Sequence, residues 1–553
     1  MAPEQPTSGP PTTPAATRGR RWAAGVLGWP ARPPSAARRA AAGAVAAMVG
    51  LATAALAALV LPGGQSPLVS VADQVVSLAP STPREATIAL LGTADKPFIL
   101  AAVAAVTVAL AALLGLLSRR DRRPLAAGGA ILLAVGVAAT AASAPSAVAA
   151  GLVGMVLSAL AAAWSVGRLT RPPAAGLRPA GRAIPAVRPP ASWAEREMSR
   201  RQFTLLAAGM AVLAVAGQGL ASLLGSVPSS AVDRFRAATR LARAAHPLPP
   251  PPAADSFRIP ALTPLVTPNS GFYRVDTAFV PPSVDPVSWR LSLDGMVDRP
   301  LTFRYEDLMA MPQEEAYITL CCVSDPVGGS LIGNALWQGV RLARLLALAG
   351  VRHGADQLVG RSVDGFTAGF PTALALDGRA ALVALGMNGE PLPIVHGFPA
   401  RLIVPGLYGY VCATKWLTEI RLTTLSSFTA YWEQRGWGPP APVATESRID
   451  VPRDGAALSP GEVTVAGVAW AQHRGIRGVQ VRVDGGPWRA AELAGELSID
   501  TWRQWRYRWT ATRGRHTLAV RATDAGGRVQ TARTVPPFPD GATGYPSVRV
   551  TVG

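Results

Sequence analysis

The chain has 553 residues with a formal net charge of +19, and 49% of its residues are hydrophobic. This length is enough for two or three domains together with membrane segments. Most of the positive excess falls in residues 1–202, where arginines flank apolar runs. Such a distribution is typical of membrane proteins with basic cytoplasmic loops, and it excludes a nucleic-acid-binding face as the origin of the charge.

Residues 1–39 are rich in Pro, Ala and Arg and are predicted to be a disordered cytoplasmic tail. Residues 40–225 are predicted to hold a bundle of about five transmembrane helices. Each of its five apolar runs is long enough to cross a bilayer: 40–61, 98–117, 125–144, 146–166 and 203–224. The tail and the segments 118–124 and 167–202 are basic, which predicts a cytoplasmic N-terminus and an external C-terminal half.

The stretch Ser199-Arg200-Arg201-Gln202-Phe203 resembles a twin-arginine export signal followed by its apolar region. The alternative is a pair of ordinary basic residues that anchor a helix end. The export interpretation predicts a multi-pass protein of a bacterial plasma membrane with its catalytic part on the extracytoplasmic side. The five apolar runs contain no histidine, so we expect an anchor or docking bundle and no intramembrane haem.

Three segments follow the apolar runs. Residues 226–262 include a run of prolines and are predicted to be a semi-rigid linker. Residues 263–440 mix strand and helix patterns, with a strand at 289–295 and helices at 305–311 and 340–349. In residues 441–553, short strand-like runs are separated by glycine-containing turns, which predicts an all-β sandwich of immunoglobulin type.

The most informative stretch is an apolar run, 317–320, that ends at Cys321 and Cys322. The run is typical of a buried strand. A turn at 324–326 and a glycine pair at 328–329 follow, and there the backbone can approach a ligand closely. A thiol in this position can bind a soft metal ion, although buried free cysteines are also common in protein cores.

The string Leu320-Cys321-Cys322-Val323-Ser324-Asp325 resembles the cysteine loop of the sulfite oxidase family, which are molybdenum enzymes with a molybdopterin cofactor. In that family a Leu-x-Cys string supplies the protein thiolate on molybdenum, and Cys322 occupies the matching position. The resemblance continues at His396-Gly397-Phe398-Pro399-Ala400-Arg401 and at Lys415-Trp416-Leu417, and it includes Phe272-Tyr273-Arg274 upstream. It covers the chain from about residue 260 to the C-terminus.

The resemblance implies a mixed α/β molybdopterin-binding catalytic domain at 263–440. It also implies that the immunoglobulin-like domain at 441–553 forms a homodimer contact. It assigns Cys322 to the metal and Arg274 to the catalytic site. The cofactor phosphate favours cationic partners, and the implied cofactor-binding residues are Tyr273, Asp276, Cys322, Asp364, His396, Arg401, Thr414 and Lys415. Asp364 has an alternative role as a turn carboxylate.

The implied reaction is a two-electron oxo transfer on an external small or protein-bound substrate. No haem-binding or flavin-binding stretch is recognised in the sequence, so we expect a separate electron-transfer partner. Pro326 and Val327 stand where the family's sulfite oxidases have arginines, and Trp437 stands where they have a tyrosine, with Tyr431 as the alternative residue for that place. We therefore predict inefficient sulfite oxidation. The alternatives are a sulfite oxidase proper, a reductase of sulfoxides, and a non-enzymatic membrane-anchored binding module.

Overall fold

A computed structural model describes residues 34–60, 66–78, 95–119, 121–143, 148–170, 202, 204–210, 212, 230–278, 280–439 and 441–553. The chain divides into two compact units, Met1–Val227 and Pro228–Gly553. Nearly all of the predicted N-terminal tail lies outside the described residues, and so does the arginine pair of the predicted export signal.

The first unit is helical. Its helices are α1 Ala36–Val60, α2 Pro67–Leu78, α3 Asp95–Leu117, α4 Arg123–Ser143 and α5 Val148–Leu169. Among the residues that the structure describes, four segments are long and apolar enough to cross a membrane, which indicates a membrane anchor: Ala36–Ala58, Lys96–Leu117, Arg123–Ala141 and Gly151–Leu169. They coincide with four of the predicted spans. The fifth predicted span, 203–224, lies mostly outside the described residues.

The second unit begins with α6 Ser230–Ala238 and a proline-rich extended segment. The sequence predicted a spacer here, but its described part packs along the same unit. The carbonyl of Ala242 accepts a hydrogen bond from Gln338 Nε2 at 2.5 Å, and Phe257 N–H donates to Gln504 Oε1 at 2.7 Å. Proline-rich extended chain forms no internal hydrogen bonds, so its polar groups are available to neighbouring elements.

The catalytic domain contains two sheets. The first has the order β2-β1-β10-β5-β6, with β1 Arg290–Gly295, β2 Leu301–Arg304, β5 Gln357–Ser362, β6 Thr367–Pro371 and β10 Leu417–Thr423. The second has the order β3-β4-β7-β8, with β9 paired to β7, and comprises β3 Glu314–Cys321, β4 Ile332–Arg341, β7 Leu382–Met387, β8 Glu390–Pro391 and β9 Arg401–Ile403.

Three short helices complete this domain: α7 Tyr305–Ala310, α8 Leu342–Ala349 and α9 Gly409–Cys412. The start of α8 differs from the predicted start at residue 340. Val340 pairs with Val383 and Arg341 with Leu382, so these two residues extend β4. Their ladder hydrogen bonds hold them in extended conformation, which overrides a helical periodicity that begins two residues earlier.

The C-terminal domain is all β, as predicted. One sheet has the order β11-β13-β17-β16 and the other β12-β19-β18-β14-β15. The strands are β11 Glu446–Val451, β12 Ala457–Leu458, β13 Gly461–Trp470, β14 Ile476–Val483, β15 Arg489–Ala490, β16 Glu492–Leu493, β17 Arg503–Ala511, β18 Gly514–Asp524 and β19 Ser547–Val552. Inward-facing residues such as Val465, Val481 and Trp505 form its buried core.

The two domains share buried apolar packing. Val468, Trp470 and Trp502 of the C-terminal domain belong to the same hydrophobic cluster as the catalytic core. The indole N–H of Trp502 donates a hydrogen bond to the carbonyl of Leu265 at 2.8 Å. The C-terminal domain therefore packs against the preceding α/β domain and shares part of its hydrophobic core.

Candidate functional site

The cysteine pair lies at the end of β3, where the sequence predicted a strand to stop. Cys321 is the last strand residue and pairs with Ile332 of β4. The N–H of Cys322 donates a hydrogen bond to the carbonyl of Leu331 at 2.9 Å, which extends the pairing by one residue. Successive residues of an extended chain point to opposite sides, so the two thiols have different surroundings.

The surroundings of Cys322 stabilise a thiolate better than those of Cys321. Burial raises the pKa of the Cys322 thiol, while hydrogen bonds from Ser324 and the charge of Lys415 oppose this shift. Burial raises the pKa of Cys321 well above its usual value, and no hydrogen bond from Ser324 opposes the rise there; the charge of Asp325 adds to the rise at both thiols. A thiolate is the form that binds metal, so its stabilisation favours Cys322 as the ligand.

The segment that carries Tyr273 and Arg274 is fixed by aromatic packing. The Phe272 ring contacts Trp337 edge-on at 5.7 Å and stacks on Tyr273 at 5.3 Å between ring centroids. A Cβ on Gly333 would lie 2.7 Å from the Phe272 ring, so glycine is needed in β4 for this approach. Burial raises the pKa of the Tyr273 phenol, and the nearby Cys322 thiol adds to the rise.

The predicted residues His396, Arg401 and Lys415 converge around one glycine. Gly397 has a φ of 109°, and a Cβ there would lie 3.1 Å from Cα of Lys415 and 3.2 Å from Cβ of Arg401. Glycine adopts this left-handed conformation readily and leaves room for both neighbours. Gly397 therefore allows Arg401 and Lys415 to lie close to the backbone next to His396.

Arg401 is a buried cation, only 2% exposed. Its guanidinium donates to the carbonyls of His396 at 3.1 Å and Ala413 at 3.3 Å, and it lies 5.0 Å from the Trp337 ring. It forms no ion pair with any carboxylate in the described part of the chain. Burial lowers its pKa to about 10, so an anionic partner would be strongly favoured here.

Lys415 and Arg274 both contact Asp276. Arg274 Nε donates to one carboxylate oxygen at 2.7 Å, and Lys415 Nζ forms an ion pair with the other. Lys415 also donates to the carbonyl of Val395 at 3.2 Å. Burial lowers the pKa of Lys415 to about 8, and the Asp276 carboxylate opposes this shift.

His396 is 2% exposed, and its Nε2 lies 3.1 Å from the carbonyl of Asn269. Its Nδ1 has no hydrogen-bond partner among the described residues. Burial and the charge of Lys415 lower the pKa of His396 to about 4, so the ring is neutral at physiological pH. A buried ring nitrogen without a partner is one further group that a bound ligand can satisfy.

Two predicted residues differ from the rest. Thr414 is fully buried close to the cluster, and its hydroxyl donates to the carbonyl of Gly360 at 3.4 Å. Asp364 accepts a hydrogen bond from Phe366 N–H at 3.2 Å within the turn between β5 and β6. This is the behaviour of a turn carboxylate, and no contact among the described residues joins Asp364 to the other predicted site residues.

Some residues around the cluster received no role from the sequence. Trp337 lies beside Arg401, and Asn269 supplies the carbonyl next to His396. Trp416 has a φ of 46°, which is unusual for an aromatic residue, and its indole donates to the carbonyl of Ile394 at 2.8 Å. Ser324 donates to Cys322. Residues of these types are common in protein cores, so the sequence alone does not identify them as part of the site. Only their position next to the predicted residues does.

In the loop after Cys322, Val327 provides an apolar side chain. Val327 Cγ2 lies 3.5 Å from the position that a Cβ would take on Gly544. Trp437 is 8% exposed and packs edge-on against Phe538 at 5.3 Å between ring centroids. Its indole N–H is buried and has no hydrogen-bond partner among the described residues.

Comparison with known proteins assigns family profiles to both domains of the second unit. A family profile described as "Oxidoreductase molybdopterin binding domain" matches residues 278–432, and one described as "Bacterial Ig domain" matches residues 446–520. The chain is 34% identical over 169 residues to "Uncharacterized oxidoreductase YuiH" of Bacillus subtilis (strain 168). That match covers 31% of this chain and 82% of that protein.

The chain is also 34% identical over 287 residues to "Sulfite oxidase, mitochondrial" of Mus musculus, with 43% of this chain and 52% of that protein covered. It therefore spans about half the length of the sulfite oxidases that it matches. Its structure is similar to the sulfane dehydrogenase SoxCD from Paracoccus pantotrophus at 24% identity and a TM-score of 0.46, covering 52% of this chain and 81% of that one.

The chain belongs to the sulfite oxidase family of molybdopterin-dependent oxidoreductases. The family and the cofactor predicted from the sequence, molybdenum–molybdopterin, are thereby confirmed. The residues of the site fit that group. A buried guanidinium without a carboxylate, a buried imidazole nitrogen without a partner, and a thiol with hydrogen-bond donors suit an anionic cofactor that carries a soft metal.

Proposed function

We propose that this chain oxidises or reduces an external substrate by two-electron oxo transfer at a molybdenum–molybdopterin centre. In this proposal the protein sits in a bacterial plasma membrane, and the catalytic domain faces the extracytoplasmic side. A separate protein carries the electrons. The four apolar helices and the basic loops of the sequence support the membrane anchor and its orientation.

The cofactor assignment depends on one observation: the guanidinium of Arg401 is buried and has no ion-paired carboxylate among the described residues. A buried cation that lacks a carboxylate is destabilising unless an anion arrives, and the cofactor phosphate is such an anion. Lys415 and His396 would bind the same part of the cofactor, because they converge on Gly397 with Arg401. Tyr273 and Asp276 would border the pterin, and Asp364 would have at most an indirect role.

Cys322 would hold the metal through its thiolate, and Arg274 would lie on the substrate side. When bound, the cofactor would give an oxo group to the substrate and take an electron pair, or take an oxo group from the substrate and return the pair. The contribution of the protein is to keep the thiolate ionised, to orient the substrate and to exclude water. Ser324 and Lys415 serve the first of these tasks.

The proposed substrate is neutral or apolar at its reacting atom, for example a sulfoxide or a thioether. Val327 and the aromatic cluster around Trp437 support this substrate class. A small dianion needs several charge-assisted hydrogen bonds when it leaves water. The unpartnered indole N–H of Trp437 can donate one hydrogen bond to a neutral oxygen.

The experiment is elemental analysis and pterin fluorescence on the full chain, purified from a host that makes molybdopterin. We expect close to one molybdenum and one pterin per chain. The matched variants are Arg401→Met, which keeps the length of the side chain, and Arg352→Met, which removes an exposed arginine paired with Asp298. Molybdenum should be lost from the first variant only. A metal-free wild-type protein would favour the binding-module alternative.

A further inference from the structure

Asp276 lies between two cations that the cofactor also requires. Its carboxylate is 2% exposed and contacts Arg274 and Lys415, which are 39% and 12% exposed at their side chains. A buried ammonium is costly without an anion nearby, so this carboxylate stabilises Lys415 in the absence of the cofactor. Arg401, by contrast, has no carboxylate within ion-pair distance among the described residues, and the charge of Asp276 acts on it only from farther away.

A phosphate bound by Arg401 and Lys415 would bring a second negative group to the same ammonium. Two anions that share one buried cation repel each other, and the repulsion disfavours either of them as a full anion at close range. Asp276 and the phosphate are therefore competitors for Lys415. If the cofactor phosphate bound while Asp276 stayed where it is, the repulsion between the two anions would remain.

The geometry allows the competition to be resolved by movement. Phe272 is held by Trp337 and Gly333, but residues 273–276 have no regular secondary structure. Arg274 is partly exposed and bonded to Asp276. The carboxylate and the guanidinium can thus shift toward solvent as a pair while the ring of Phe272 stays in place.

We propose that Asp276 is a carboxylate latch: it holds Lys415 before the cofactor binds and releases it to the cofactor phosphate on loading. Asp276 is then a positioning residue rather than a direct pterin contact. This inference rests on the proposed function, because it assumes that a phosphate-bearing cofactor enters this cluster. The latch couples cofactor occupancy to the position of the 273–276 segment.

The test is a titration of cofactor-free full-length protein, made in a host that lacks molybdopterin, with inorganic phosphate at neutral pH. For Asp276→Asn we expect an apparent Kd for phosphate that is about tenfold lower than for the wild type, because one competing charge is removed. The phosphate-dependent rise in Tm should grow accordingly. Lys415→Met should abolish the response in either background.

Two matched variants separate the latch from a structural role. Asp276→Glu keeps the charge and should restore the weak phosphate affinity of the wild type. Asp298→Asn removes a carboxylate that pairs with Arg352 on the surface, and it should change nothing. Equal phosphate affinity in the wild type and in folded Asp276→Asn would overturn the latch.

Molybdenum loading gives an independent readout. In a host with limiting molybdate, Asp276→Asn should load at least as much molybdenum as the wild type. A several-fold loss of molybdenum from the folded variant would mean that Asp276 binds the pterin directly, which also overturns the latch. A wild-type protein that never acquires molybdenum would contradict the proposed function, while the phosphate titration would still test the latch.

Discussion

Thr319 and Trp502 are joined by a hydrogen bond across the domain boundary: the Trp502 N–H donates to Thr319 Oγ1 at 2.8 Å. Thr319 lies two positions before Cys321 in β3, an edge strand of its sheet. Its N–H donates to the carbonyl of Asp500 at 2.9 Å, and its carbonyl accepts from Gln472 Nε2 at 3.1 Å. The C-terminal domain therefore satisfies the open edge of the cysteine-bearing strand.

The first prediction concerns this link. Thr319→Val keeps the shape of the side chain and removes the hydroxyl, which leaves the backbone N–H of Trp502 and the amide oxygen of Asn334 without the partner that they share. A buried group left unsatisfied costs about 1–3 kcal/mol. We expect a loss of unfolding free energy of that size, measured by chemical denaturation followed by tryptophan fluorescence.

The control for this prediction is Thr319→Ser, which keeps the hydroxyl and deletes one methyl group. Its expected cost is about 1 kcal/mol, the value of one buried methyl group. A Val variant as stable as the Ser variant would show that the hydrogen bond across the boundary contributes little to stability.

The second prediction is that Cys322, and not Cys321, binds molybdenum. Cys322→Ser should remove the protein thiolate contribution from the molybdenum X-ray absorption spectrum and abolish activity. Cys321→Ser should keep both, because burial and the charges of Asp325 and Glu446 disfavour a thiolate at Cys321. The reverse result would mean that the Leu-x-Cys string has been aligned one residue out of register.

Much of the fold could be predicted because it depends on local patterns. The apolar run before Cys321 identified β3, and the length of the apolar runs in residues 40–166 identified four of the helices. The described part of the predicted linker shows the limit of this approach. Its composition indicated extended chain, but the partners of that chain, such as Gln338 and Gln504, are far away in sequence.

The candidate site likewise combines residues that sequence motifs predict with contacts that they do not. The sequence motifs predicted His396, Arg401 and Lys415 as cofactor-binding residues, and the structure places all three around Gly397. The pairing of Asp276 with Lys415 joins residues 139 positions apart. No periodicity or spacing encodes such a contact, because it depends on how two sheets place their connecting segments.

The third prediction concerns pH. Glu446 is 6% exposed, and it lines a cavity of about 610 Å³ between the catalytic and C-terminal domains. Burial raises the pKa of its carboxyl to about 9, and Asp325 adds to the rise. The unfolded pKa is about 4.3. Between these values the folded state holds a proton that the unfolded state has lost, so stability falls as pH rises, by at most about 1.4 kcal/mol per pH unit.

Glu446→Gln mimics the protonated carboxyl and removes this linkage. At pH near 7 we expect the variant to be more stable than the wild type by on the order of 1–3 kcal/mol, with a flatter dependence of stability on pH. Denaturation at several pH values measures both quantities. A variant that is less stable than the wild type at neutral pH would mean that Glu446 is ionised in the folded protein.

The fourth prediction is the membrane topology. Reporter fusions after Arg123 and Arg188 should report the cytoplasm, and fusions after Asp95 and Gly553 should report the outside, because basic loops stay in the cytoplasm. Replacing Arg200 and Arg201 with Lys should keep the C-terminal half inside if the pair is an export signal. If the C-terminal half is still exported after this change, Arg200 and Arg201 only anchor the end of a helix.

The last prediction is that the molybdenum-loaded enzyme oxidises sulfite poorly. Arg274 alone would contact the dianion, since Pro326 and Val327 stand where the family's sulfite oxidases have arginines. Two missing charged hydrogen bonds, at about 1.5–3 kcal/mol each, reduce transition-state binding by roughly 10² to 10⁴. Steady-state kinetics with an artificial electron acceptor should therefore give a low kcat/KM for sulfite, alongside oxidation of a thioether. With an artificial electron donor in place of the acceptor, the same protein should reduce a sulfoxide. Val327→Arg should raise the sulfite value relative to Val327→Met, which adds length without charge. A wild-type kcat/KM for sulfite above about 10⁵ M⁻¹s⁻¹ would place the chain among ordinary enzymes for that substrate and contradict the prediction.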